Sequence, residues 1–197
     1  MYKNFSSIVG FLVILLTVNT AFAAGPTDYV KAKTKAVTDV LSKKDSKKRQ
    51  KALDKVVQQT IDFRELAKRA LGKHWEARTA EEQQEFLDLL QTLLQANYED
   101  KLTGKQLGAD YKIEYTAEKT KGTKALVKAL VVVKEEKKPV NYRLYKSEKG
   151  WAVYDLVIDD ISLEETYRDG YVEIIEAEGW ASLISRMKEK AKALRAK

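Results

Sequence analysis

At Tyr111 the apolar period of this chain changes from that of a helix to that of a strand, and the change dictates how any core must be layered. From there Tyr111, Ile113, Tyr115 and Ala117 alternate with Lys112, Glu114, Thr116 and Glu118, one set on each face of a strand. Turn signals follow at Lys121-Gly122, at Glu135 to Lys138 before Pro139, and at Glu148-Lys149-Gly150. The simplest reading is an antiparallel meander of about four strands over 110–160. Its second strand presents Ala125, Val127, Ala129, Val131 and Val133 on one face, against Lys124, Lys128 and Lys134 on the other. Small inward side chains leave room above the sheet. The third strand offers Val140, Tyr142 and Leu144, and the fourth runs from Trp151 to about Ile158.

Before the switch the period is helical, to about residue 105. Pro26-Thr27-Asp28 opens a helix to about Ser42, and Asp45-Ser46 caps a second through Gln58. Asp62 caps a short helix whose apolar residues Phe63, Leu66, Ala67, Ala70 and Leu71 share one face before Gly72 stops it. Thr79-Ala80-Glu81-Glu82 is a capping box. The helix it opens carries Phe86, Leu87, Leu89, Leu90, Leu93, Leu94, Tyr98 and Leu102, apolar over more than half its circumference. Such a helix is central in its fold or lines something besides ordinary core.

After the strands, Leu163, Tyr167, Tyr171 and Ile174 form one stripe, and beyond Gly179 a last helix repeats it with Trp180, Leu183, Ile184, Met187, Ala191 and Leu194. These predict two closing helices over 163–195. The expected fold is α+β: a curved antiparallel sheet with helices on one face, enclosing an apolar pocket.

The first 23 residues read differently. Lys3 precedes an apolar run from Ile8 to Val18, and Ala21-Phe22-Ala23 has the small-x-small pattern that a signal peptidase needs. A run of about eleven residues falls short of the roughly 20 that cross a bilayer. Residues 1–23 are therefore expected to be a cleaved secretory signal and 24–197 a single exported domain, with no stable insertion in a membrane. Lys+Arg number 36 against 29 Asp+Glu, a net +7 spread along the chain. An exported chain rarely meets nucleic acid, so this charge is read as a solvated exterior that also suits anionic lipid surfaces.

Catalytic chemistry is thinly represented. Cys is absent and His occurs once, in Lys73-His74-Trp75, which excludes a thiol nucleophile and a multi-His metal centre. No elbow motif surrounds a serine, and the nine glycines form no phosphate-cradling loop. Asp155, Asp159 and Asp160 suit caps and solvent better than a cation or paired-carboxylate site, and His74-Trp75 suits a packed helix junction. No enzyme activity, metal or cofactor is expected. Apolar material in surplus points to binding.

Three stretches, in order, carry a resemblance: Ile61 through Trp75, Thr79 through Tyr98, and Trp151-Ala152-Val153-Tyr154-Asp155 continuing by Ile161-Ser162-Leu163 into Tyr167-Arg168. Together they resemble the MlaC (toluene-tolerance) family over almost the whole mature chain. The departures are Gln83, Gln84 and Glu85, where the family often has an Arg, and Tyr171, where Phe is frequent. They remove the basis for carrying a headgroup contact over from that region.

The resemblance implies a periplasmic phospholipid-binding shuttle of an ABC transport system that maintains membrane lipid asymmetry. Its partners would be the phospholipid, an outer-membrane lipoprotein complex and an inner-membrane ABC transporter complex. The acyl chains are expected among Phe63, Leu66, Leu90, Leu94, Tyr98 and Val131, with Tyr142, Tyr154, Ile161 and Tyr167 completing the pocket. Arg168 is expected at the mouth, where a guanidinium can pair a phosphate. A peptide-binding adaptor or chaperone with an exposed groove is the alternative, and a small cone-shaped enzyme using Asp155 or Asp159 inside a pocket is a third reading. A dry void of ~500 Å³ would cost roughly 12 kcal/mol, so such a pocket should collapse when empty or stay loaded.

Overall fold

The structure is a computed structural model that describes residues 24–41, 46–103 and 111–195. The expected signal segment, 1–23, lies outside the described residues. Five helices come first: α1 Pro26–Leu41, α2 Ser46–Thr60, α3 Phe63–Leu71, α4 Lys73–Glu76 and α5 Ala80–Thr103. Strands β1 Tyr111–Lys121, β2 Lys124–Val133, β3 Glu136–Ser147, β4 Gly150–Ile158 and β5 Ile161–Ser162 follow, then α6 Leu163–Glu178 and α7 Trp180–Arg195. The strands pair antiparallel in sequence order, forming an open sheet.

Local chemistry sets the helix ends. The Asp62 side chain accepts from the Glu65 N–H, and Gly72, at φ 50°, ends α3 by donating its N–H to the Lys68 carbonyl. At the start of α5 the capping box closes both ways: the Thr79 N–H donates to Glu82 Oε2 at 2.9 Å, and the Glu82 N–H donates to Thr79 Oγ1 at 3.2 Å.

Two details of the sheet differ from expectation. The second hairpin turns at Lys134-Glu135, tighter than the sequence suggests, so Pro139 falls inside β3 opposite Leu130. Proline is tolerated there because β4 pairs with β3 only as far as Val140; at Pro139 its neighbour is the turn residue Asp159, whose N–H donates to the Pro139 carbonyl. The fifth strand was not foreseen. Asp159 and Asp160, both at positive φ, make a two-residue turn that folds Ile161-Ser162 back on β4. Those carboxylates belong to a turn.

Two cores result. One lies within the helical layer: Phe86 is buried against the edge of Trp75 at 6.2 Å, with Tyr171 at 5.8 Å and Trp180 at 5.5 Å. His74-Trp75 is thus a packed junction, with His74 Nε2 3.5 Å from Glu176 on α6. The other core lies on the sheet, where Val30 of α1 seats among Val127, Ala129, Leu144 and Val153. Each buried Val or Leu in these cores contributes about 1.5–3 kcal/mol. Leu156 touches both cores. Between them, beside Leu156, the layers do not close.

Candidate functional site

The gap is a cavity of about 220 Å³. Strands β1 to β4 supply Tyr111, Ile113, Val131, Tyr142, Leu156 and Ile158 from one face. The helices supply Val37 from α1, Leu53 and Val57 from α2, Phe63 from α3 and Leu94 from α5, with Ile61 from the link before α3 and Leu163 from the start of α6. Four hydroxyls on the wall, those of Thr34, Thr38, Thr60 and Tyr111, already have partners. Tyr111 donates to Thr38 Oγ1 at 2.8 Å, Thr38 to the Thr34 carbonyl at 2.9 Å, and Thr60 to the Val56 carbonyl at 2.7 Å. Thr34 shares a hydrogen bond with the Tyr115 hydroxyl. Hydroxyls satisfied in this way leave their part of the wall effectively apolar. Burial pushes the Tyr142 phenol far above its ordinary 10.0, so it stays neutral at every physiological pH.

Of the residues expected at the pocket, Phe63, Leu94, Val131 and Tyr142 meet at this cavity. The others sit elsewhere. Leu66 and Leu90 are buried in the helical core. Tyr154 lies under the Arg69 guanidinium, 4.0 Å from its ring centroid, beside Tyr145. Tyr167 stacks on Tyr171 at 5.2 Å. Ile161 is 65% exposed, because β5 is a two-residue edge strand with nothing over it. Arg168 pairs with Glu164 one turn back on α6. The Tyr98 side chain lies outside the described residues.

Sequence reasoning missed the contributions of α1 and α2. Thr34, Val37 and Thr38, then Leu53 and Val57, follow helical i, i+3, i+4 spacing, but lysines crowd both segments and dilute the stripe.

Among the described residues, Asp54 is the only charged one on the cavity wall. Asp155, the carboxylate on which an enzyme reading would rest, is fully buried on the far side of β4 from Leu156. Its Oδ2 accepts from Ser162 Oγ at 2.8 Å and lies 3.1 Å from Arg143 Nη1, while Oδ1 accepts from the Glu164 N–H at 3.0 Å. The Ser162 and Glu164 contacts tie the start of α6 to the sheet, and Arg143, also paired with Glu165 at 3.1 Å, joins β3 to the same cluster. No group of three or more His, Asp or Glu gathers as metal ligands among the described residues.

An open sheet whose inner face, together with a helical layer, surrounds a largely apolar void has the architecture of an apolar-ligand site. Residues 31–189 match the family described as MlaC protein. The chain belongs to the MlaC family. It is also similar in structure to a phospholipid-binding protein from Ralstonia solanacearum, solved in complex with a phospholipid: TM-score 0.77, 25% identity, covering 87% of this chain and 99% of that one. Among curated proteins, none matches the chain by sequence.

Proposed function

We propose that this chain is a periplasmic phospholipid carrier. After removal of residues 1–23, the single domain 24–197 would shuttle lipid between an outer-membrane lipoprotein complex and an inner-membrane ABC transporter complex. The observation that carries the reading is the apolar cavity between sheet and helices, in a chain of the MlaC family. Binding and transport fit a wall on which, among the described residues, Asp54 is the one charged side chain.

The physics makes a carrier necessary. At about 0.8 kcal/mol per methylene, two acyl chains of some thirty methylenes lose roughly 24 kcal/mol of burial on entering water. Lipid therefore crosses an aqueous compartment far faster inside a protein. A peptide groove would call for a run of exposed apolar side chains, and Ile161 is the only large exposed one among the described residues.

Val131 tests the reading. It is half-buried on β2, lines the cavity and lies opposite Ile113. The substitution Val131→Trp would fill the void, so uptake of a tail-labelled phospholipid should fall at least about tenfold while the lipid-free protein melts no lower. Unchanged uptake in a folded Val131→Trp variant would move the acyl chains out of this cavity.

A further inference from the structure

The apolar cavity is not the only hollow at the end of α2. A second, open recess of about 410 Å³ adjoins it, and Gln58, Thr60, Ile61, Phe63 and Gln91 line both. The two differ in chemistry. Arg64 and the side chains of Gln59 and Gln84 line the recess alone, with Asp62, and no charged residue other than Asp54 lines the cavity. A second cation stands at the recess edge: Lys33 Nζ donates to the Gln59 carbonyl at 2.8 Å and lies 5.3 Å from the centroid of Tyr29, another lining residue.

Charge within the recess is unequal. Asp62 already accepts from the Glu65 N–H at 3.0 Å and from the Tyr145 hydroxyl at 2.6 Å, so its carboxylate is committed to holding α3. Arg64 is exposed, its guanidinium lies 5.7 Å from the Trp75 ring centroid, and Gln83 takes one of its five N–H donors at 3.1 Å, so its remaining donors can turn to a ligand in the recess. An amphiphile with its tails in the cavity therefore has, beside the residues common to both hollows, a polar recess with one cation on its lining and a second at its edge.

We infer that this recess seats the phosphodiester of the bound lipid, with Arg64 as its main partner, Lys33 as the second cation, and the Gln58, Gln59, Gln84 and Gln91 amides facing the rest of the headgroup. The inference rests on the carrier reading and gives it an orientation: tails under the sheet, phosphate between α2, α3 and α5. A guanidinium grips a phosphate through two parallel hydrogen bonds, which a lysine cannot reproduce.

The test compares two ligands with identical labelled tails, phosphatidylglycerol and diacylglycerol, on the lipid-stripped full chain. The wild type should prefer the phospholipid. The double variant Arg64→Gln, Lys33→Gln should lose about tenfold in affinity for it and leave diacylglycerol binding unchanged, as should Arg64→Lys to a smaller extent. Lys149→Gln, in an exposed turn, should match the wild type. A second measurement needs no variant: phosphatidylglycerol with a photoactivatable headgroup should crosslink to residues 58–64 and 84–91.

Full phospholipid preference in the double variant, or crosslinks confined to α6, would overturn the headgroup seat and leave the carrier standing. Arg64-dependent binding of inorganic phosphate, with phospholipid affinity unaffected, would assign the recess to the free anion and overturn it too. A wild type that takes up neither lipid would remove the carrier reading itself.

Discussion

Replacing Asp155 by alanine is expected to lower stability by about 3 kcal/mol, a fall of about 6–12 °C in melting temperature for a chain of this size. The carboxylate is fully buried and serves three donors, Ser162 Oγ, the Glu164 N–H and Arg143. Its removal leaves a buried hydroxyl and the Glu164 N–H without an acceptor. The figure is at the low end for breaking a buried pair because the Arg143 side chain is 34% exposed and also pairs with Glu165 at 3.1 Å. Since Leu163 follows directly on the cavity wall, loosening the start of α6 should also weaken lipid retention. Thermal melts of Asp155→Ala and Asp155→Asn check this. A melting temperature for Asp155→Ala within about 2 °C of the wild type would show that α6 is held by other contacts.

Stripping the lipid should cost more. A dry void of about 220 Å³ at ~24 cal/mol per Å³ destabilises the empty protein by about 5 kcal/mol. This is less than half of what the sequence suggested for a larger pocket, yet a substantial share of a typical domain's stability. Delipidated protein is expected to melt about 10–20 °C below the loaded form, and reloading with phospholipid should restore the higher value. Equal melting of stripped and loaded protein would mean that the cavity collapses at no cost or is not where lipid binds.

Much of the fold was legible because its signals are short-range. The Asp62 cap, the Thr79–Glu82 box and the Gly72 stop each depend on residues within four positions. The alternation in β1 and β2 needs only a window of a few residues to show which face turns inward. The two-residue β5 has no window in which a period could appear. Its existence depends on Asp159-Asp160 adopting positive φ, a conformation that aspartate tolerates but does not announce.

The site was half legible, for a different physical reason. Periodicity says that Leu66, Leu90, Leu94 and Val131 all face inward. It does not say whether another side chain fills the space they face. Around Leu66 and Leu90 the helical core is filled, by residues such as Trp75 and Phe86; around Leu94 and Val131 the sheet and α5 leave a gap. Vacancy is a property of three or more elements together, so no single stretch of sequence carries it. Arg168 shows the same limit for charge. It was expected at the pocket mouth because a guanidinium can pair a phosphate, but Glu164 stands four residues earlier on the same helix face and pairs with it.

The account as a whole depends on lipid in the cavity, and the most direct test is native mass spectrometry of the protein purified without detergent, paired with an organic extract of the same sample. The expected result is a mass above that of the polypeptide alone, matched by phospholipid in the extract. A lipid-free protein that also fails to take up labelled phospholipid would contradict it.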